Sequence, residues 1–138
     1  MLQQKQTERV IEKYCAFIKR FHNIASLAQA SFLDVLQEWK GLGYNRRAKW
    51  IHEIAKKVNN EYDGVIPKGI EELEKFPGIG KTTARSIAAF AFNIPTVFLE
   101  TNIRTVLIYR FFQNKSNIEE KRLYDIASQV MDREDPRE

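Results

Sequence analysis

The sequence predicts an all-α fold, a bundle of short helices. Three observations predict it. Apolar residues recur at spacings of three and four through most of the 138-residue chain, which is the period of a helix with one buried face. Alternation at period two, the mark of a half-buried strand, is almost absent. Six glycines and four prolines break the pattern at intervals too short for long helices.

The first helix runs from about Thr7 to Phe21, with Val10, Ile11, Tyr14, Cys15, Ile18 and Phe21 on one face. Cys15 reads there as a small core residue, while Glu8 and Glu12 form a solvated face. Ser31 caps a short helix carrying Phe32, Val35, Leu36 and Trp39. Gly41-Leu42-Gly43 interrupts it. A longer helix follows from about Asn45 to Tyr62, with Ala48, Ile51, Ala55 and Val58 inward and Arg46, Arg47 and Lys49 at its start.

Asp63-Gly64 and Pro67 make a turn. Gly69 to Phe76 is a short helix through Ile70, Leu73 and Phe76, and Lys81 to Phe92 is another, with Ala84, Ile87, Ala88 and Ala91 on one side. Pro95 to Leu99 is extended, and Thr101 to Phe112 is helical despite its β-branched residues. Ser116-Asn117-Ile118-Glu119 reads as a capping box for a last helix ending near Met131. Trp39, Trp50, Phe90 and Phe92, at helical spacing, read as core aromatics.

Composition narrows the function. At 43% apolar, the chain can build one packed core and is too apolar for a disordered segment, so residues 1–138 read as a single domain. The net charge of +4 permits a polyanionic partner without requiring one. One cysteine, Cys15, excludes a disulfide framework, a multi-cysteine zinc site and a cysteine-held iron–sulfur cluster, so no cofactor is expected. His22 and His52 have no partner at ligand spacing, and no metal site is expected. The longest apolar run, Ile87 to Phe92, falls far short of the ~20 residues that span a bilayer. The start, MLQQKQTERV, has no signal-peptide core. A cytoplasmic, nucleoid-associated protein with no membrane partner is expected.

One stretch carries chemistry: Leu73-Glu74-Lys75-Phe76-Pro77-Gly78-Ile79-Gly80-Lys81-Thr82-Thr83-Ala84. Two short helices flank a tight loop, within a unit of about residues 69–92. Its glycines leave backbone N–H groups open at a helix N-terminus, an arrangement that takes a phosphate without reading a base. Ile79 pins the two helices and Lys81 adds a cation. Two other readings compete. Gly80-Lys81-Thr82 matches the end of a P-loop, but Gly-x-x-x-x-Gly-Lys-Ser/Thr needs glycine where Lys75 stands and a strand before it. The same residues also suit a Pro-Gly corner between helices with no ligand. Arg46 and Arg47, with Lys49 and Lys40, read equally as a phosphate grip or a solvated face.

This stretch resembles the helix-hairpin-helix DNA-backbone motif, and the chain around it resembles the base-excision DNA glycosylases of the endonuclease III and adenine glycosylase superfamily. Met1-Leu2-Gln3-Gln4, Gly41-Leu42-Gly43-Tyr44 with Arg47-Ala48, Phe76 to Ala84, and Leu99-Glu100-Thr101-Asn102-Ile103-Arg104 carry the resemblance, in order and at matching spacing. MLQQ and GLGY bring it nearest the adenine glycosylase branch. The resemblance implies the six-helix-barrel half of the family's catalytic unit, without the leading and trailing helices of the second lobe.

It also implies roles. Gln3 and Gln4 match glutamines that approach the base stack, and Tyr44 matches a tyrosine that wedges beside the partner base. Gly78 and Gly80 match the phosphate-holding glycines, with Lys81 and Thr83 beside them as DNA contacts. Glu100 falls on the essential aspartate that stabilises the sugar cation, one methylene longer. Thr82 stands where bifunctional members keep a Schiff-base lysine, so strand cleavage through an imine is not expected. The family's general-acid glutamate lies two residues before the position of Met1, and no residue here matches it. The expectation is a monofunctional N-glycosylase, a monomer acting on double-stranded DNA that contains a lesion or mismatch, with adenine opposite 8-oxoguanine or G as substrate. The alternative is a catalytically silent backbone-binding module or a gene fragment.

Overall fold

A computed structural model describes residues 7–113 and 117–136. Among these residues there are eight helices and no strand: α1 (Thr7–Arg20), α2 (Ile24–Gln29), α3 (Phe32–Trp39), α4 (Asn45–Glu61), α5 (Ile70–Glu74), α6 (Lys81–Phe92), α7 (Thr101–Phe111) and α8 (Glu120–Val130). The all-α expectation holds. No described helix is long and apolar enough to cross a membrane. The helices fall into two compact units, the first running to Pro67 and including Phe76–Gly78, the second holding Lys68–Lys75 and the residues from Ile79 onward.

In the first unit, α4 packs against α2 and α3, and α1 against α3. Val10, Phe17, Phe21, Leu27, Val35, Trp39, Leu42, Ala48 and Ala55 form its core. Local chemistry starts the two short helices. The Asn23 side chain accepts from the Ser26 amide at 2.7 Å while Ser26 Oγ accepts from the Asn23 amide at 3.3 Å, a reciprocal capping box. Ser31 Oγ accepts from the Asp34 amide at 3.1 Å and donates to the Asp34 carboxylate at 2.6 Å. That hydroxyl holds the Asp34 carboxyl below the usual carboxylate range, with Arg20 adding to it. In the second unit α5 packs on α6 and α7 on α8, and Leu107, Phe112, Leu123 and Ala127 form a core.

Several sequence expectations need correction. Helix α2 was not among the expected helices; at six residues it is too short for an apolar period to mark. On α1 the buried stripe is Val10, Phe17 and Phe21, whereas Ile11, Tyr14 and Ile18 are exposed, and Cys15 is exposed rather than in the core. The apolar arc of α1 is wider than the face its neighbour covers. Phe90 is exposed as well, although Trp39 is buried as expected. Helix α8 starts at Glu120 after an N-cap at Glu119, later than the capping-box pattern suggested. Asn117, at φ 57, is left-handed and cannot belong to a helical first turn. Ser116, Gln3 and Gln4 lie outside the described residues.

The inward face of α4 is Ala48, His52, Ala55 and Val58, with Ile51 half-buried. His52, which the sequence left without a role, is a core residue. Its Nε2 lies 3.0 Å from the Ala30 carbonyl oxygen, so the neutral imidazole donates there, and its ring stacks on Phe32 at 6.0 Å. Burial pushes its pKa below the ordinary 6.5, and the Lys56 charge pushes the same way. The unfolded chain therefore takes up this proton before the folded one does. The contribution of His52 to stability is complete above pH 6.5 and is lost as pH falls from there through the folded value. Urea unfolding at about pH 7.5 and about pH 5.5 should show a drop in midpoint that is smaller in His52→Leu. An equal drop in both proteins would remove His52 from the account.

Candidate nucleic-acid interface

The loop after α3 is built from left-handed residues. Gly41 and Gly43 have φ of 91° and 70°, and Tyr44, the N-cap of α4, has φ 50° and ψ 55°. A non-glycine residue held there costs roughly 1–2 kcal/mol, so the surroundings must over-determine it. They do. Buried Leu42 plugs the loop into the core, Trp39 Nε1 donates to the Gly43 carbonyl at 2.9 Å, and the Arg47 amide donates to the Tyr44 carbonyl at 2.8 Å. The result is a fixed turn that carries an exposed tyrosine, with the Arg47 guanidinium 4.9 Å from its ring centroid.

The basic cluster at the start of α4 is not a uniform solvated face. Lys49 lies 3.7 Å from the Glu53 carboxylate one turn on. Arg47 stacks on Tyr44, and Arg46 stacks at 5.4 Å on the ring of Trp50. Adjacent arginines thus point to two different aromatic side chains, one a turn ahead and one at the N-cap. Trp50 is half-buried rather than core, because its indole reaches the hairpin turn.

That turn explains one glycine and leaves the other open. Gly78 has φ 75°, and a Cβ there would overlap the Trp50 indole, with Cζ3 only 2.7 Å away. Glycine is required on both counts. Phe76, two residues earlier, is buried against Tyr62, with Lys57 Nζ 5.8 Å from its ring centroid. Gly80 is different. Its φ is −95°, and a Cβ there would meet nothing within 4 Å.

In the second unit, Gly80 is the N-cap of α6 and supplies no side chain to the first-turn amides. Gly80 and Lys81, at the positive end of that helix, are exposed. Lys81 is exposed at its first position; Thr82 and Thr83 are half-buried, and the Thr83 carbonyl accepts from the Ser86 hydroxyl at 2.9 Å. Glu100 is the exposed N-cap of α7, and its carboxylate makes no capping hydrogen bond. Position 82 offers a hydroxyl and no amine. The structure therefore groups the sequence-selected residues into two sets, Tyr44, Arg46, Arg47 and Gly78 in the first unit and Gly80, Lys81, Thr82, Thr83 and Glu100 in the second. Trp50, read from sequence as core, is the residue that sequence reasoning missed. Its i, i+4 spacing from Arg46 was the available signal.

Comparison with known proteins follows the same outline. The model of the HhH-GPD superfamily of base excision DNA repair proteins matches residues 1–131. The adenine DNA glycosylase of Buchnera aphidicola subsp. Baizongia pistaciae is 44% identical over 117 residues, covering 85% of this chain and 33% of that protein. The adenine DNA glycosylase of Mycolicibacterium smegmatis is 41% identical over 107 residues, covering 78% of this chain and 36% of that protein. The chain thus spans about a third of the length of these relatives. A solved thermostable thymine-DNA glycosylase shares the fold at a TM-score of 0.83 and 22% identity, over 99% of this chain and 64% of that one.

The two hairpin glycines should separate in a stability measurement. Gly78→Ala adds a left-handed alanine and a clash with an indole, and should lower unfolding free energy by roughly 2–4 kcal/mol. Gly80→Ala should stay within about 0.5 kcal/mol of the parent. Equal losses by urea unfolding would contradict the geometry at the turn.

Proposed function

The chain belongs to the HhH-GPD superfamily of base excision DNA repair proteins, and from that membership we propose that it is the hairpin-bearing part of a monofunctional DNA N-glycosylase, acting as a monomer on duplex DNA. The observation that carries the proposal is the Glu100 carboxylate, left free of capping at the N-terminus of α7; the α6 N-terminus behind Gly80 supports it. Relatives at 41–44% identity that are named adenine DNA glycosylases support adenine as the base removed, with 8-oxoguanine or G as its partner.

A base inside a duplex is unreachable, so the nucleotide must be extruded and the gap in the stack filled. Tyr44, on its fixed turn, suits the gap, and Gln3 and Gln4 are assigned beside it by their match to the family. By their match to the family, Gly78, Gly80, Lys81 and Thr83 are assigned to backbone phosphate, and Arg46 and Arg47 are assigned as cations toward DNA. The bond from C1′ to the base nitrogen then breaks, and its electron pair leaves with the base. Positive charge builds on the sugar, and the Glu100 carboxylate stabilises it. Water adds to C1′ and its proton passes through solvent to the departed adenine anion, giving free adenine and an abasic site. With threonine at position 82 no imine forms and the strand stays intact. The route uses side chains and water alone.

The test is a single-turnover assay on end-labelled duplexes, developed with and without alkali, containing A opposite 8-oxoguanine, A opposite G, T opposite G or U opposite G. Alkali-dependent cleavage at adenine, slowed at least ~100-fold in Glu100→Ala, is the expected result. Salt-sensitive binding with no base release from any duplex would overturn the catalytic assignment and leave a silent backbone-binding module. Cleavage without alkali would overturn the monofunctional reading. Gly80→Ala, which leaves the fold intact, should weaken duplex binding equally on all sequences.

A further inference from the structure

We propose that Arg46 is a phosphate-contacting cation beside the Gly78 turn, held there by the Trp50 indole. The proposal rests on the reading that the hairpin takes a DNA backbone phosphate. It deepens that reading by naming Trp50 as the residue that positions Arg46.

Three observations converge. The guanidinium of Arg46 lies 5.4 Å from the Trp50 ring centroid, one helical turn along α4. The same indole occupies the space where residue 78 would carry a side chain, so the guanidinium and the hairpin turn lie against one aromatic group. Among the described residues Arg46 pairs with no carboxylate, whereas Lys49 is engaged by Glu53. No described carboxylate neutralises its charge.

Stacking suits this task better than an ion pair would. A guanidinium lying on an aromatic face keeps its N–H edge free, and that planar fork is what grips two oxygens of a phosphate. The contact also restricts a side chain that otherwise loses rotamer freedom on binding. A lysine could supply the charge but neither the fork nor the same stacking. Replacing Trp50 would release the arginine and loosen the Gly78 turn without removing any charge, so its effect is read against the double variant and Trp50→Phe.

The experiment measures affinity for a labelled, undamaged duplex by fluorescence anisotropy between about 50 and 200 mM salt. The proteins are the parent chain, Arg46→Ala, Arg46→Lys, Trp50→Leu, Trp50→Phe and the double variant Arg46→Ala/Trp50→Leu. Arg46→Ala should weaken binding about 5–10-fold on every sequence and reduce the salt slope by about one. Arg46→Lys should keep the slope and lose part of the affinity. Trp50→Leu should lose nearly as much as Arg46→Ala, and the double variant little more than either. Trp50→Phe keeps an aromatic face and should retain most of the binding, which guards against a loss that is only misfolding.

Unchanged affinity and slope in Arg46→Ala would overturn the proposal while the hairpin reading stands. Additive losses in the double variant would overturn the positioning role of Trp50. If Lys81→Ala and Gly80→Ala also leave binding untouched, the hairpin reading itself fails, and the proposal fails with it.

Discussion

An indole set against a backbone with no side chain is the contact around which the hairpin is built. Trp50 fills the volume that any residue other than glycine would occupy at position 78, and the left-handed φ of 75° there turns the chain sharply enough to begin a new helix within three residues. Phe76 anchors the approach by burying itself beside Tyr62. Shape and backbone conformation thus coincide at one residue, and both exclude a β-carbon. A turn fixed this way holds its amides in place, so that on the proposed reading little ordering remains when a phosphate binds.

The loop ahead of α4 follows the same logic with a different anchor. Two glycines and Tyr44 take left-handed conformations, and the strain is absorbed by a buried leucine and a tryptophan N–H bonded to the loop carbonyl. What the loop presents is an exposed tyrosine with an arginine over its face. Folding alone would be served better by a relaxed cap, since Tyr44 gives α4 no side-chain hydrogen bond. The strain at Tyr44 is held by the loop around it rather than relieved by a cap. Trp39 and Trp50 therefore do comparable work, each holding one edge of α4's first turns through a glycine-bearing loop.

Much of this was legible in the sequence, and the failures have physical reasons. Helix α6 begins at Lys81 and ends at Phe92, as read, because a glycine precedes it and a run of small residues with apolar ends keeps its period. The Ser31 cap was equally plain, since a side-chain oxygen just ahead of an amphipathic run has few other uses. Short-range signals without periodicity were lost, as with the Asn23–Ser26 box that starts a helix of six residues. Burial was harder than helicity. His52 lies inside because a carbonyl and an aromatic ring wait for it there, and neither partner is near in sequence. In the site, the identities of Gly78, Tyr44 and the arginines could be read directly. The separate reasons for Gly78 and Gly80 could not, because the difference lies in a tryptophan 28 residues away in the chain.

Glu100 is where geometry bears most directly on chemistry. At a helix N-cap an aspartate is among the best residues because its short side chain folds back onto the first-turn amides. That same fold-back competes with any task the carboxylate has beyond its own helix. Glutamate is a poor cap, and here its side chain makes no such bond. The backbone still places it at the positive end of α7, where the helix field favours the ionised form. The extra methylene therefore removes the competing local partner and extends the reach of the charge, at the cost of a less defined position. For a carboxylate that must stabilise a cation rather than form a bond, charge and proximity matter more than the angle of approach. Stabilisation falls with distance gradually, whereas a nucleophile's rate falls steeply with misalignment. A longer acid at this position is thus more compatible with an electrostatic role than with a covalent one, and the absence of an amine at Thr82 is consistent with the same division of labour.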